Sequence, residues 1–103
     1  NSDLGEALRL AMQAKQAMPD QPNIADTLGW VHYKRSSYSL AITQFKQALE
    51  IHPEDPAIRY HLALAQYANG EKAQAVALLE QVLGQEVDFK ERQEAKDTLQ
   101  SWK

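Results

Sequence analysis

Residues 28–53 read LGWVHYKRSSYSLAITQFKQALEIHP, and their spacing decides the fold. Ile42, Phe45 and Leu49 recur at steps of three and four, the period of one helix face and not the alternation of a strand. Ahead of them Ile24, Leu28 and Val31 keep the same spacing. The polar run KRSSYS, residues 34–39, separates the two periodic stretches and marks a turn. The stretch therefore reads as a helix, a tight turn and a second helix closed by Pro53.

The pattern repeats at a fixed stride of 34 residues. Ala7, Ala41 and Ala75 stand at equal steps of 34, and so do Pro19 and Pro53. Ala14, Ala48 and Val82 keep the same register seven residues later. The first-type helices match as well, pairing Pro22 with Pro56, Ile24 with Ile58, Leu28 with Leu62, Gly29 with Ala63, and Tyr33 with Tyr67. A proline suits the first helical turn, where its missing N–H has no intrahelical partner, and Asp55 is a good cap just before one of them. The expected helices cover 3–17, 22–35, 38–51, 56–69, 72–83 and 90–102. Self-similarity at this stride signals stacked units that bury their apolar faces on one another.

Two positions carry most of the packing logic. Gly29 costs roughly 1 kcal/mol of helix propensity against alanine, which is acceptable if it lets a partner helix approach closely. Ala41 and Ala48 are expected to face it, with Leu28, Phe45 and Leu49 filling the space around. At the far end Ala95, Leu99 and Trp102 form one apolar stripe on a charged helix preceded by Phe89. About two extra residues in GQEVDF, 84–89, shift this helix out of strict register. It reads as a cap over the last unit with a polar outside.

These residues resemble the tetratricopeptide repeat family, whose pattern runs tryptophan, leucine-glycine and tyrosine on a first helix, then alanine, phenylalanine and a closing proline. Leu28, Gly29, Tyr38, Ala41, Phe45, Ala48 and Pro53 fall in that register, while Ala25 and His32 depart from it. In the next unit Leu62, Ala63, Gly70, Ala75 and Leu79 agree, Tyr60 falls one residue late, and Val87 replaces the proline. The resemblance implies an all-α protein, an α-solenoid of antiparallel helix-turn-helix units with right-handed superhelical stacking. It divides the chain into the second helix of a truncated repeat (1–21), full repeats at 22–55 and 56–89, and a capping helix (90–103). The chain begins without methionine, already inside a helical pattern, and reads as a piece of a longer bacterial protein. The form ADTLGWVHYK, 25–34, followed by a charged closing helix, resembles repeat proteins of bacterial cell-envelope and polysaccharide-export systems.

Composition narrows the chemistry. A net charge of −3 over 103 residues lacks the basic surface that phosphate backbones require, so nucleic acid is not an expected partner. No window reaches the roughly 18 to 20 apolar residues needed to span a bilayer. The chain has no cysteine, which removes thiolate metal sites and cysteine nucleophiles and fits cytoplasm and periplasm alike. His32, His52 and His61 share no helical ligand spacing, and the glycines stand singly. Ser36, Ser37 and Ser39 read as turn and cap material. No catalytic group, metal site or cofactor site is expected, and the chain reads as no enzyme.

The resemblance instead places function on the inner surface lined by the first helices. Asn23, Asp26, Trp30, Tyr33 and Lys34 are expected to line it from one unit, and Tyr60, Leu64 and Tyr67, flanked by Ala57 and Ala68, from the next. Aromatics of this kind dominate binding hot spots, so the expected role is a non-catalytic scaffold that holds a peptide or protein segment. Some relatives in this family clamp a terminal carboxylate with basic side chains. Here Asp26, Trp30 and Tyr60 take those places, and only Lys34 and Arg59 offer positive charge. The competing readings are a structural or self-associating segment of a longer solenoid, and a regulatory domain of a larger envelope protein. Self-association would use the apolar flank at Leu8 and Leu10 to Met12, left by the truncated first unit and open to a homodimer.

Overall fold

Each helix begins and ends where local chemistry allows. The computed structural model, which describes residues 3–103, contains α1 (Asp3–Ala17), α2 (Pro22–Lys34), α3 (Tyr38–Ile51), α4 (Pro56–Ala68), α5 (Lys72–Gly84) and α6 (Arg92–Trp102). Pro22 and Pro56 open α2 and α4. The Asp55 carboxylate accepts from the backbone N–H of Ala57 at 3.0 Å and of Ile58 at 3.2 Å, satisfying two donors that a helix start leaves unpaired. Gln21, at the matching place before α2, makes no such bond.

The turns inside the two hairpins are copies of one another. The N–H of Ser36 donates to Tyr33 O at 3.0 Å and that of Ser37 to His32 O at 2.8 Å. One stride later the N–H of Gly70 donates to Tyr67 O at 3.1 Å and that of Glu71 to Gln66 O at 2.9 Å. This paired arrangement closes a helix when the residue after the cap turns left-handed. Ser36 has φ 63° and Gly70 φ 89°. The stop is thus set by one backbone dihedral, met once by serine and once by glycine.

Each helix packs on the next in sequence, and α4 also touches α2, so the hairpins stack in a single row measuring 36 × 27 × 21 Å. Among the described residues there is no strand. The architecture is an all-α repeat solenoid. One core, between α2, α3 and α4, gathers Ala25, Ala41, Ile42, Phe45, Ala48, Ile58, Leu62 and Ala65. A second, from α4 to α6, gathers Tyr60, Ala63, Leu79, Val82 and Ala95.

Gly29 does its expected work with a different partner. A Cβ added there would come within 2.6 Å of Cε1 of Phe45, so it is the phenyl ring that lies on the bare backbone, more closely than either alanine. Leu28 points elsewhere: it is buried with Ala11 and Val31 against α1. Adjacent residues on a helix diverge by about 100°, so Leu28 and Gly29 serve two different neighbours. The α1 flank also divides. Ala11 is buried and Leu8 packs beside it, whereas Leu10 and Met12 are 51% and 54% exposed.

The last helix starts two residues later than the stride requires. Arg92 fixes the connection that precedes it: its guanidinium donates to Leu83 O at 3.1 Å, Gln85 O at 3.2 Å and Val87 O at 3.0 Å. These carbonyls end α5 or lie just beyond it, where no helical donor remains. Ala95 is then fully buried, and Leu99 and Trp102 pack beside it, the stripe expected from the sequence.

Candidate functional site

The inner surface is built by α2, α4 and α6, the first-type helices. Asp26, Tyr60 and Glu94 stand one stride apart on these helices, and Tyr60 bonds Glu94 across the gap to α6. On α2, the half-buried Trp30 stacks on Tyr33 with centroids 5.2 Å apart and planes 19° apart. Lys34 Nζ lies 5.1 Å from the Trp30 centroid, near enough for a cation–π contact. Tyr33 continues the aromatic run to Tyr38 at 5.6 Å. Asn23 is exposed at the start of the helix, where its carbonyl accepts from the Thr27 hydroxyl at 2.9 Å. Of the five α2 residues expected to face inward, Asp26 and Trp30 line an open cleft of about 380 Å³, together with Thr27, His61, Lys90, Glu91 and Glu94.

The second unit presents a different picture. Tyr60 is only 1% exposed. Its hydroxyl donates to Glu94 at 2.9 Å and lies 3.2 Å from the Thr98 hydroxyl, both on α6. Burial, with the Glu94 carboxylate adding to it, pushes the Tyr60 pKa up to about 12. Tyr67 stacks face to face on Trp102, with centroids 4.3 Å apart and planes 2° apart, and Leu64 packs into the same cluster. The expectation that Tyr60 lines an open groove is therefore corrected, while Leu64 and Tyr67 are half-buried. They face α6, which covers the inner side of α4. Arg59 is equally unavailable to a guest, being 8% exposed and donating to Gln81 on α5.

One cluster was absent from the sequence reading. His61 Nδ1 lies 2.8 Å from Asp26 Oδ1 on α2, and Nε2 lies 2.9 Å from Glu91 Oε2 just ahead of α6. The imidazole also sits 4.9 Å from Trp30 and 5.8 Å from Phe45. Burial alone pulls the His61 pKa down, but hydrogen bonds and charge from Asp26 and then Glu91 outweigh it, and the net shift is upward. His32 shows the opposite balance: burial, with Arg35 nearby, lowers its pKa, and its Nδ1 is buried without a partner. His52 is exposed at the end of α3. The signal for His61 lay in the stride itself. Asp26 and His61 are one unit plus one residue apart, a spacing that sets neighbouring first-type helices side by side.

Among the described residues no group of three His, Asp or Glu side chains is arranged to hold a metal ion, and no helix is long and apolar enough to cross a membrane. What the inner surface offers is an aromatic shelf, an exposed amide and both signs of charge.

Two-helix units stacked at a fixed stride, with an inner surface of aromatic and charged side chains, define an α-helical repeat scaffold. The chain belongs to the tetratricopeptide repeat family, whose model matches residues 32–99. It is similar to a TPR repeat-containing protein of Pseudomonas aeruginosa, 36% identical over 58 residues that make up 56% of this chain and 10% of that protein. The chain thus spans about a tenth of that relative's length. Its fold is similar to that of the TPR2B domain of yeast Sti1, solved as a complex with pHsp70, with a TM-score of 0.84 at 21% identity. That likeness covers 98% of this chain and 82% of the other.

Proposed function

We propose that the protein is a non-catalytic scaffold that holds a segment of a partner protein on the inner side of α2. The observation that carries this reading is the Trp30–Tyr33 stack standing at the edge of the cleft, with Asn23 and Lys34 exposed beside it. Aromatic pairs offer large contact area at low entropic cost, and a polar rim fixes the register of a bound chain. An extended or helical segment suits a surface one helix long. The relative known as a complex with pHsp70 makes a protein guest the natural class, although the basic clamp for a carboxylate is missing here. Asp26 engages His61 and Arg59 is buried against α5, leaving Lys34 as the only one of the two expected basic groups on the open surface.

Trp30 and Tyr33 also pack on the core, so truncating them would mix binding with stability. Asn23 and Lys34 are exposed and separate the two. Peptides selected from a displayed library against the intact chain should lose at least ~10-fold in affinity, about 1.4 kcal/mol, with Asn23→Arg and Lys34→Glu while the Tm stays unchanged. Selected peptides that bind both variants as well as the parent would remove this reading.

A second reading has its own observation. Exposed Met12 joins Arg9, Gln13, Lys15, Gln16 and the edge of Leu28 around a shallow, mostly apolar cleft of about 440 Å³ on α1. Self-association through this flank would appear as a concentration-dependent sedimentation coefficient that Met12→Glu abolishes.

A further inference from the structure

We propose that the Asp26–His61–Glu91 bridge is a proton-operated latch: a proton on His61 ties the start of α6 to α2 and α4, and its release loosens the first turn of α6 and widens the inner cleft. The geometry carries this directly. Both ring nitrogens lie within hydrogen-bond distance of carboxylate oxygens, 2.8 Å to Asp26 and 2.9 Å to Glu91. An ionised carboxylate only accepts, and a neutral imidazole has a single N–H, so the two contacts together require the imidazolium. Loss of the proton to water turns a lone pair toward one carboxylate at that same distance.

Glu91 is the partner that yields. Asp26 is fixed within α2, one turn from the packed Trp30. Glu91 stands just ahead of α6, and its carboxylate makes no cap bond to the helix it precedes. Its carbonyl accepts from the Ala95 N–H at 2.8 Å, so a shift at Glu91 passes into the first turn. The other groups around the imidazole do not replace the lost charge. Trp30 on α2, Phe45 on α3 and Tyr60 on α4 present rings. Lys34 is engaged with Trp30, Lys90 lines the cleft beside Glu91, and Glu94 is held by Tyr60. The Tyr60–Glu94 and Tyr67–Trp102 contacts keep the body of α6 in place, so the loosening stays local. Since Lys90, Glu91 and Glu94 form one wall of the cleft, its width follows the state of the bridge.

The sign follows from the direction of the shift. The folded pKa is raised above the ordinary histidine value of 6.5, so the stabilisation is complete below 6.5 and is lost as pH rises through the folded value. The test follows the His61 ring by NMR in the intact chain, together with amide exchange corrected for intrinsic base catalysis, from acid through alkaline pH. Protection at Ala95, Lys96 and Asp97 should fall roughly 10-fold relative to Ala41 and Phe45 as His61 deprotonates, the scale of one charge-assisted hydrogen bond. Glu91→Gln should erase that fall, because a carboxamide can donate to a neutral Nε2 as readily as it accepts from a protonated one. The latch is overturned if α6 protection stays flat across the His61 titration, if His61 titrates below 6.5, or if Glu91→Gln keeps the parent's pH dependence. No guest is needed, so the outcome is independent of the peptide-binding reading.

Discussion

The two full units solve the same packing problem with different pairs. In the first, Gly29 lies under the Phe45 ring; in the second, one stride later, Ala63 lies in the same core cluster as Leu79. All four residues are buried. A large ring demands a bare backbone, whereas a smaller branched side chain leaves room for a methyl group. The glycine is therefore no fixed requirement of the repeat. It is half of a pair, and its value depends on what stands 16 residues later in the same hairpin.

Breaking the pair is the most direct way to test the comparison, and its overpacking cost is the largest single contribution expected. Gly29→Ala sets a methyl carbon 2.6 Å from a fully buried ring, which must then shift. We expect a loss of about 1 to 3 kcal/mol from overpacking, set against roughly 1 gained in helix propensity. Adding Phe45→Leu rebuilds the second unit's solution inside the first. A double-mutant cycle in urea should show a favourable coupling of about 1 kcal/mol; additive changes would mean the two residues do not depend on each other.

The turns sharpen the comparison at a smaller scale. Gly70→Ala places a Cβ at φ 89° and should cost about 1 to 2 kcal/mol, although nothing crowds the site. Ser36→Gly relieves the same backbone demand in the first unit and should raise stability by a few tenths to about 1 kcal/mol. Thermal melts that rank the two substitutions in the reverse order would show that the turn is not governed by handedness. Smallest is the contrast between caps. Asp55→Ala should cost about 1 kcal/mol, and Gln21→Asp, which supplies the missing acceptor at the matching place, should gain up to about that much.

The helices and their stride were legible because both depend on residues close in the chain. Three- and four-residue spacing, Pro22 and Pro56 at helix starts, and alanines 34 apart all report local geometry. The crossing at Gly29 was half legible. Its need for close approach could be read, but the choice of Phe45, and the turning of Leu28 toward α1, depend on the angle between packed helices. Of the residues expected to face inward, Asp26 and Trp30 line the cleft, whereas Tyr60 on α4 is buried. Tyr60 and Tyr67 look the same in sequence whether they meet a guest or a helix. Only the depth to which α6 settles, with Glu94 and Trp102 seated on them, decides between the two. The role of His61 does not show in spacing along its own helix, because its partners come from α2 and from the approach to α6.

Modules of equal length invite shuffling by recombination, and the Gly29–Phe45 pairing bears on which products survive. Both members lie inside the α2–α3 hairpin, and Ala63 and Leu79 both lie inside the α4–α5 hairpin, so each hairpin carries this pairing within itself. The seams are another matter. If the two units traded places, Tyr60 would meet Thr27 where Asp26 now meets His61, and Asp26 would approach Glu94 where Tyr60 now donates a hydrogen bond. The first exchange discards an ion pair and the second sets like charges face to face. Order along the chain is thus written at the joints between modules.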